Sequence, residues 1–295
     1  MASSAPKKKF PSHPGKEKRD EEKKRLTEEK FSPVRGENFY NFVKGLLINQ
    51  AKLPEERALE YLTHIKLFEQ AFTSSTFNPD WNYEALEMLG DSISNFCVVQ
   101  YLTLRFPDLM KSDGSGVGTL SRLKINLVSK TVFAQCAEKL GFAEHIASNM
   151  LVRKEEMNSL LEDTFEAFQG ALLQIGSLID PNGKRKGFLP SLGPTFRIVM
   201  NFLDGMEISL KYDDLYDAKT RLKQLVESVH LKYPSFKVTQ EINADGKIVF
   251  TTTIKIPGLV GEWGTGIGFY KDVSEQNACE KAISSLRLAG YSRKE

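Results

Sequence analysis

Two short stretches of this 295-residue chain hold acids at helical spacing. In Asn82-Tyr83-Glu84-Ala85-Leu86-Glu87-Met88-Leu89-Gly90-Asp91, three acids recur at i, i+3 and i+7, interleaved with Leu86, Leu89 and Ile93. Further on, Asp163 and Glu166 stand three apart, with Phe165, Phe168 and Leu172 as the apolar side. On a helix each set shares one face. Carboxylates that close repel one another, so such a stripe is either a solvated face or a site that wants a cation. Gly90 costs roughly 1 kcal/mol relative to Ala inside a helix, and its presence implies close approach by another backbone. The histidines and cysteines show no metal-ligand spacing, so metal chemistry here has to use oxygen ligands.

The elements that must position these acids are helical. Apolar stripes run from Phe39 to Phe72, and Phe77-Asn78-Pro79-Asp80 breaks the chain before the first acidic helix. That helix is expected to continue to about Arg105, where Phe106-Pro107 stops it. A Gly/Ser/Asp loop at 108–118 and a helical stretch from Thr119 to Leu140 follow. Ser159-Leu160-Leu161-Glu162 has the form of a capping box opening the second acidic helix, whose acids are expected to face outward. A Gly/Pro/Lys loop is expected from Asp180 to Pro194, then a helix from Thr195 to about Leu210. After that the period changes. An amphipathic helix at 217–229 is followed by alternating runs at 236–242 and 248–256 around Asn243-Ala244-Asp245-Gly246, a hairpin pattern. A third strand is expected at 259–265, then a glycine-rich turn and a closing helix at 274–286. The fold class is mostly α: an all-helical unit followed by a small α-β-β-β-α unit.

With 41% hydrophobic and 26% charged residues, the chain has the composition of an ordinary globular protein. No apolar run is long enough to span a bilayer, and the N-terminus has no secretory signal. These features predict an intracellular protein, cytoplasmic or nuclear, with no membrane partner. Cys97, Cys136 and Cys279 sit among apolar residues and read as buried free thiols. The net charge of +2 hides an asymmetry: residues 1–35 carry a local +5, which leaves −3 for the rest. Residues 1–34 are expected to form a disordered charged tail. Its Lys7-Lys8-Lys9 is either a nucleic-acid or nuclear-import patch or a solvated run.

At this point a family likeness is visible. Glu84-Ala85-Leu86-Glu87-Met88-Leu89-Gly90-Asp91-Ser92 resembles the ribonuclease III signature Glu-Arg-Leu-Glu-Phe-Leu-Gly-Asp-Ala/Ser. Glu162-Asp163-Thr164-Phe165-Glu166-Ala167-Phe168-Gln169-Gly170-Ala171 resembles that family's second motif, Ala-Asp-x-x-Glu-Ala-x-x-Gly-Ala. The last unit is similar to a double-stranded-RNA-binding domain. The resemblance implies an endonuclease domain over 35–210, acting as a homodimer, and a double-stranded-RNA-binding domain over 213–290. It implies catalytic acids Glu84, Glu87, Asp91, Asp163 and Glu166. Of these, Asp91 and Glu166 would ligate Mg²⁺ (or Mn²⁺ as substitute) directly, with Glu87 and Asp163 also at the metal and Glu84 in support. Products would be 5′-phosphate and 3′-hydroxyl ends with short 3′ overhangs. Lys219, Thr220, Gln224, Lys247 and Lys271 would meet the RNA.

The chain departs from the family pattern in several places. Ala85 replaces an Arg, and Met88 replaces the Phe that plugs a pocket on the partner subunit; Met is soft and of similar bulk. A family acid in the loop before Ser121-Arg122-Leu123-Lys124 has no counterpart beyond nearby Asp113. In the RNA-binding unit, Asn243-Ala244-Asp245-Gly246-Lys247 lacks the usual Pro and His, and Tyr270-Lys271-Asp272 replaces a Ser-Lys-Lys that grips phosphates. These changes predict weak duplex binding. They also motivate an alternative, a catalytically inactive ribonuclease III-like scaffold or ribosome-associated RNA-binding protein. A duplex-sequestering protein is a third reading, which the near-neutral second unit disfavours.

Overall fold

The computed structural model describes residues 35–149, 154–177 and 189–293. The charged tail 1–34 and the 180–188 part of the expected loop lie outside these residues. The chain divides into two compact units, 1–207 and 208–295.

The regular structure among the first unit's described residues is helical, apart from an isolated bridge between Thr73 and Ala147. Three short helices open it: α1 (Glu37–Asn49), α2 (Glu55–Leu62) and α3 (Ile65–Ala71). The long acidic helix α4 (Glu84–Arg105) ends where Phe106-Pro107 stops it, as expected. The stretch expected as one helix at 119–140 is two, α5 (Val117–Leu127) and α6 (Lys130–Lys139), because the chain turns at Val128-Ser129. Then come α7 (Lys154–Gly176) and α8 (Leu189–Asp204).

Two expectations in this region need correction. Ser159 does not cap α7: the helix begins five residues earlier, at Lys154, and the Ser159 hydroxyl accepts from Lys130 Nζ at 2.7 Å. A Ser-x-x-Glu spacing is also a one-turn spacing within a helix, so the pattern alone cannot mark a start. Likewise α8 begins at Leu189 and carries Pro194 inside it, then ends at Asp204 short of Leu210.

Helix α7 is the central element of this unit. From Thr164 to Leu173 every residue is buried, the pattern of a helix covered on all sides. It packs against α3, α4, α6 and α8. Around it lies an aromatic core in which Phe72 and Phe142 are 4.8 Å apart, Phe142 and Phe168 5.4 Å, and Phe133 and Phe165 5.2 Å between ring centroids. Arg35, the first residue of the expected domain, is tied into this core. Its guanidinium lies 4.6 Å over the Phe39 ring and donates to the carbonyls of His145 (2.9 Å) and Phe72 (3.2 Å).

The crossing of α4 and α7 is made by two glycines. A Cβ on Gly90 would stand 1.7 Å from the Glu166 carbonyl oxygen, and one on Gly170 would stand 2.0 Å from the Leu86 carbonyl oxygen. Backbone therefore touches backbone, as the position of Gly90 in an otherwise good helix suggested.

In the second unit, a single helical turn α9 (Tyr212–Leu215) precedes α10 (Ala218–Ser228), which Asp217 caps by accepting from Thr220 N at 3.0 Å. Strands β1 (Ser235–Ile242), β2 (Ile248–Lys255) and β3 (Gly264–Gly268) form an antiparallel sheet in that order. Thr239 pairs with Thr251, and Thr252 with Gly266. The third strand lies later than expected: the glycines taken for a turn are the strand itself. A Cβ on Gly264 or Gly266 would come within 2.2 Å of backbone atoms of Ala278 in α11 (Lys271–Leu288), so glycine lets the helix lie directly on the sheet.

Replacing Gly90 with Ala is expected to destabilise the first unit by about 3 kcal/mol or more, because neither backbone can yield without moving its helix. The thermal midpoint of that unit should fall by roughly 6–12 °C. An unchanged midpoint in a thermal melt would contradict the backbone-to-backbone crossing.

Candidate active site

The glycine crossing decides where the acids meet. Glu84 and Glu87 occupy the first turn of α4, where the helix N-terminus favours negative charge. Asp91 follows one turn on, beside Gly90, whose Cα faces the Glu166 backbone. Asp163 and Glu166 come from α7. The acids lie at different depths: Glu84 and Asp91 are exposed, Glu87 and Asp163 half-buried, and Glu166 only 7% exposed. The outward-facing pair expected on α7 is therefore half wrong. Glu166 is buried because it lies in the stretch of α7, 164–173, that is covered on every side.

Three of these carboxylates each have one oxygen held by a donor from the protein. Asn95 Nδ2 donates to Asp91 Oδ1 at 2.7 Å, the Tyr83 hydroxyl to Asp163 Oδ2 at 3.1 Å, and Ser75 Oγ to Glu84 Oε1 at 2.8 Å. One oxygen of each is fixed, which orients the other. Beside Asp163 and Tyr83 an open cleft of about 410 Å³ is walled by the hydroxyls of Ser74, Ser75, Thr76 and Ser159. A sixth acid, Glu162, belongs to the same cluster, with Lys130 Nζ 3.3 Å from its Oε2.

The electrostatics are those of a site short of positive charge. Burial, then the neighbouring carboxylates Asp91, Glu162, Glu87 and Asp163, push Glu166 up to about 8. Burial, then Asp163, Glu84, Glu162 and Asp91, push Glu87 up to about 7. Asp163 is also raised, by burial first, although the Tyr83 hydrogen bond opposes the shift. Among the described residues no three His, Cys, Asp or Glu side chains form a ready-made metal cage. The donor set nevertheless fits a hard divalent cation. It is all carboxylate oxygen, the ligand type Mg²⁺ takes while keeping several waters. At its centre is a buried acid whose surroundings all disfavour its charge.

The residues expected to meet RNA are less free than the sequence suggested. Lys219 Nζ pairs with Glu275 at 2.6 Å and lies 5.1 Å from the Phe236 ring centroid; Lys271 Nζ is 3.8 Å from the same Glu275. Thr220 Oγ1 donates to its cap, Asp217, at 2.6 Å, and Gln224 accepts from the Tyr212 hydroxyl. Lys247 is exposed, 5.9 Å from the Phe269 ring centroid. Sequence reasoning missed Asn95, Glu162, Tyr83, Ser75 and Lys130. The first two stand at i+4 from Asp91 and i−4 from Glu166 and were readable by spacing. The other three reach the site only through tertiary packing.

Comparison with known proteins fits this architecture. The Ribonuclease III domain family matches residues 84–176, and the Double-stranded RNA binding motif matches 218–286. A putative ribonuclease 3 of Frog virus 3 (isolate Goorha) is 36% identical over 228 residues, covering 77% of this chain; the chain spans 57% of that relative's length. A putative ribonuclease 3 of Invertebrate iridescent virus 6 is 30% identical over 86% of this chain and 89% of its own length. Ribonuclease 3 of Aliarcobacter butzleri (strain RM4018) is 30% identical over 79% of this chain and 96% of its own. Fold and carboxylate site define the class: an endoribonuclease unit joined to a double-stranded-RNA-binding unit. The chain belongs to the ribonuclease III family.

The raised acids make stability and metal binding depend on pH in opposite ways. Glu87 and Glu166, at about 7 and 8, bind protons in the folded state that the unfolded state has already lost above its usual value of 4.5. Their contribution to stability is complete below 4.5 and disappears as pH rises through 7 and 8. In EDTA the melting temperature should therefore fall between pH 6 and 8.5. The stabilisation conferred by Mg²⁺ should grow over the same range, since the ion competes with those protons. Thermal melts in both buffers check this, and a flat profile in EDTA would count against it.

Proposed function

We propose that this protein is an Mg²⁺-dependent endoribonuclease, with Mn²⁺ as substitute, that hydrolyses phosphodiester bonds of double-stranded RNA to 5′-phosphate and 3′-hydroxyl ends with short 3′ overhangs. The observation that carries the reading is Glu166: an almost fully buried carboxylate at a backbone-to-backbone crossing, surrounded by further acids. A cluster of this kind is costly without a cation.

In this reading Glu87, Asp91, Asp163 and Glu166 would hold the metal, which when bound would supply a water of lowered pKa and stabilisation of the negative charge on the leaving 3′ oxygen. The chain's own residues do the orienting. Asn95 turns the free oxygen of Asp91, Tyr83 does the same for Asp163, and Ser75 keeps Glu84 in place as support. The hydroxyl-lined cleft next to Asp163 offers polar room for sugar and phosphate groups of the substrate.

The homodimer belongs to the same proposal. Met88, 74% exposed on the signature helix, is the residue we assign to the partner contact. Further along α4, Phe96 and Val99 are 50% and 44% exposed. Val99 also helps line an apolar groove of about 460 Å³ with Met110, Val117 and Ile125. Apolar side chains grouped in this way support a protein contact. Sedimentation that returned only monomer at micromolar concentration would remove this part of the proposal.

Two outcomes are expected. Wild-type protein with Mg²⁺ should cut long duplex RNA, and Glu166→Gln should reduce cutting by at least about a hundredfold while keeping the fold. Intact RNA with the wild type, or equal cutting by the variant, removes the assignment. In the RNA-binding unit, Glu275→Gln should release Lys219 and Lys271 and tighten duplex binding. The slope of log affinity against log salt should steepen by about 0.9 for each phosphate newly neutralised. Binding assays across a salt series read both effects, and an unchanged slope means Glu275 does not restrain these lysines.

A further inference from the structure

Glu162 stands beside Asp163 and one turn before Glu166, and its charge is felt at Glu87 and Glu166 alike. Lys130, the first residue of α6, reaches it from another helix and holds both its Oε2 and the Ser159 hydroxyl. Neither residue has a role in the proposal above. An isolated ion pair of this sort, at the protein surface, contributes little. Its position against a group of carboxylates gives this one a different consequence.

The geometry points to Glu162 as a sixth carboxylate of the metal site and to Lys130 as the positioning residue that restrains it, so that this ion pair sets how tightly the site takes a divalent cation. The inference rests on the reading of the acid cluster as a metal site. Without metal, the ammonium supplies part of the positive charge the acids lack. A divalent cation entering the cluster meets that ammonium as a like charge and competes with it for Glu162. The two partners differ in freedom: the Lys130 side chain is 54% exposed and the Glu162 side chain 16%. The lysine's long stem can swing its charge into water, whereas the glutamate stays in the cluster. Metal entry would therefore displace Lys130 and leave Glu162 free to join the carboxylates that would hold the ion.

The test is calorimetric titration of the full chain with Mg²⁺ alone, without RNA, with Mn²⁺ followed by electron paramagnetic resonance as a second readout. Lys130→Met should tighten metal binding about three- to tenfold, by removing a like charge and freeing Glu162. Glu162→Gln should weaken it by a similar factor, because it leaves the ammonium without its partner. The double variant should return close to wild type, and Lys130→Arg should match wild type because it keeps the charge. If Lys130→Met does not fold, Lys130→Gln carries the same expectation. Binding unchanged or weakened in the charge-removing variants Lys130→Met and Lys130→Gln, while the wild type binds Mg²⁺, overturns the inference. A wild type that binds no Mg²⁺ overturns the metal-site reading itself, which is a separate result.

Discussion

The contact between the backbones of α4 and α7 is the constraint from which the rest of this molecule follows. The acids come from both of these helices, so the closeness of the crossing sets how closely the acids meet. Gly90 and Gly170 remove the side chains at the crossing, and each would place a Cβ within 2.0 Å of the opposite backbone. Helix propensity argues against glycine at both positions. Close packing argues for it, and at a crossing this tight packing decides. The aromatic core around Phe72, Phe142, Phe165 and Phe168 anchors α7 within the unit.

That repulsion is handled by distributing it. Asp91 and Glu84 stay near solvent and are held by Asn95 and Ser75, while Glu166 is buried and Glu162 is answered by Lys130. Protonation does the remaining work in the absence of metal, because Glu87 and Glu166 are raised to about 7 and 8. One arrangement thus links the depth of each acid to its proton affinity.

The RNA-binding unit reuses the first device for a different purpose. Gly264 and Gly266 let α11 lie against β3 as Gly90 lets α7 lie against α4. Here the close approach serves packing, and the charges are settled within the unit. Glu275 meets both Lys219 and Lys271, and Thr220 and Gln224 are engaged with Asp217 and Tyr212. Four of the five side chains expected to meet RNA thus have partners inside the protein, which supports the weak duplex binding expected from the altered motifs.

The acid spacing of α4, its end at Arg105, the hairpin around Asn243-Ala244-Asp245-Gly246 and the buried state of the three cysteines were all legible in the sequence. Each is a local matter of periodicity, a chain-breaking proline, turn chemistry or apolar surroundings. The start of α7, the identity of β3 and the depth of Glu166 were not legible. A Ser-x-x-Glu pair looks the same inside a helix as at its start, and a glycine run looks like a turn until a helix is laid on it. By itself, the sequence determined which carboxylates the protein owns and the helical period that gathers them. Only the tertiary structure decided that Glu162 joins them, that Tyr83 and Lys130 reach them from other elements, and how deeply each is buried. Charge and period are written residue by residue, whereas desolvation and contact across helices exist only once the backbones have met.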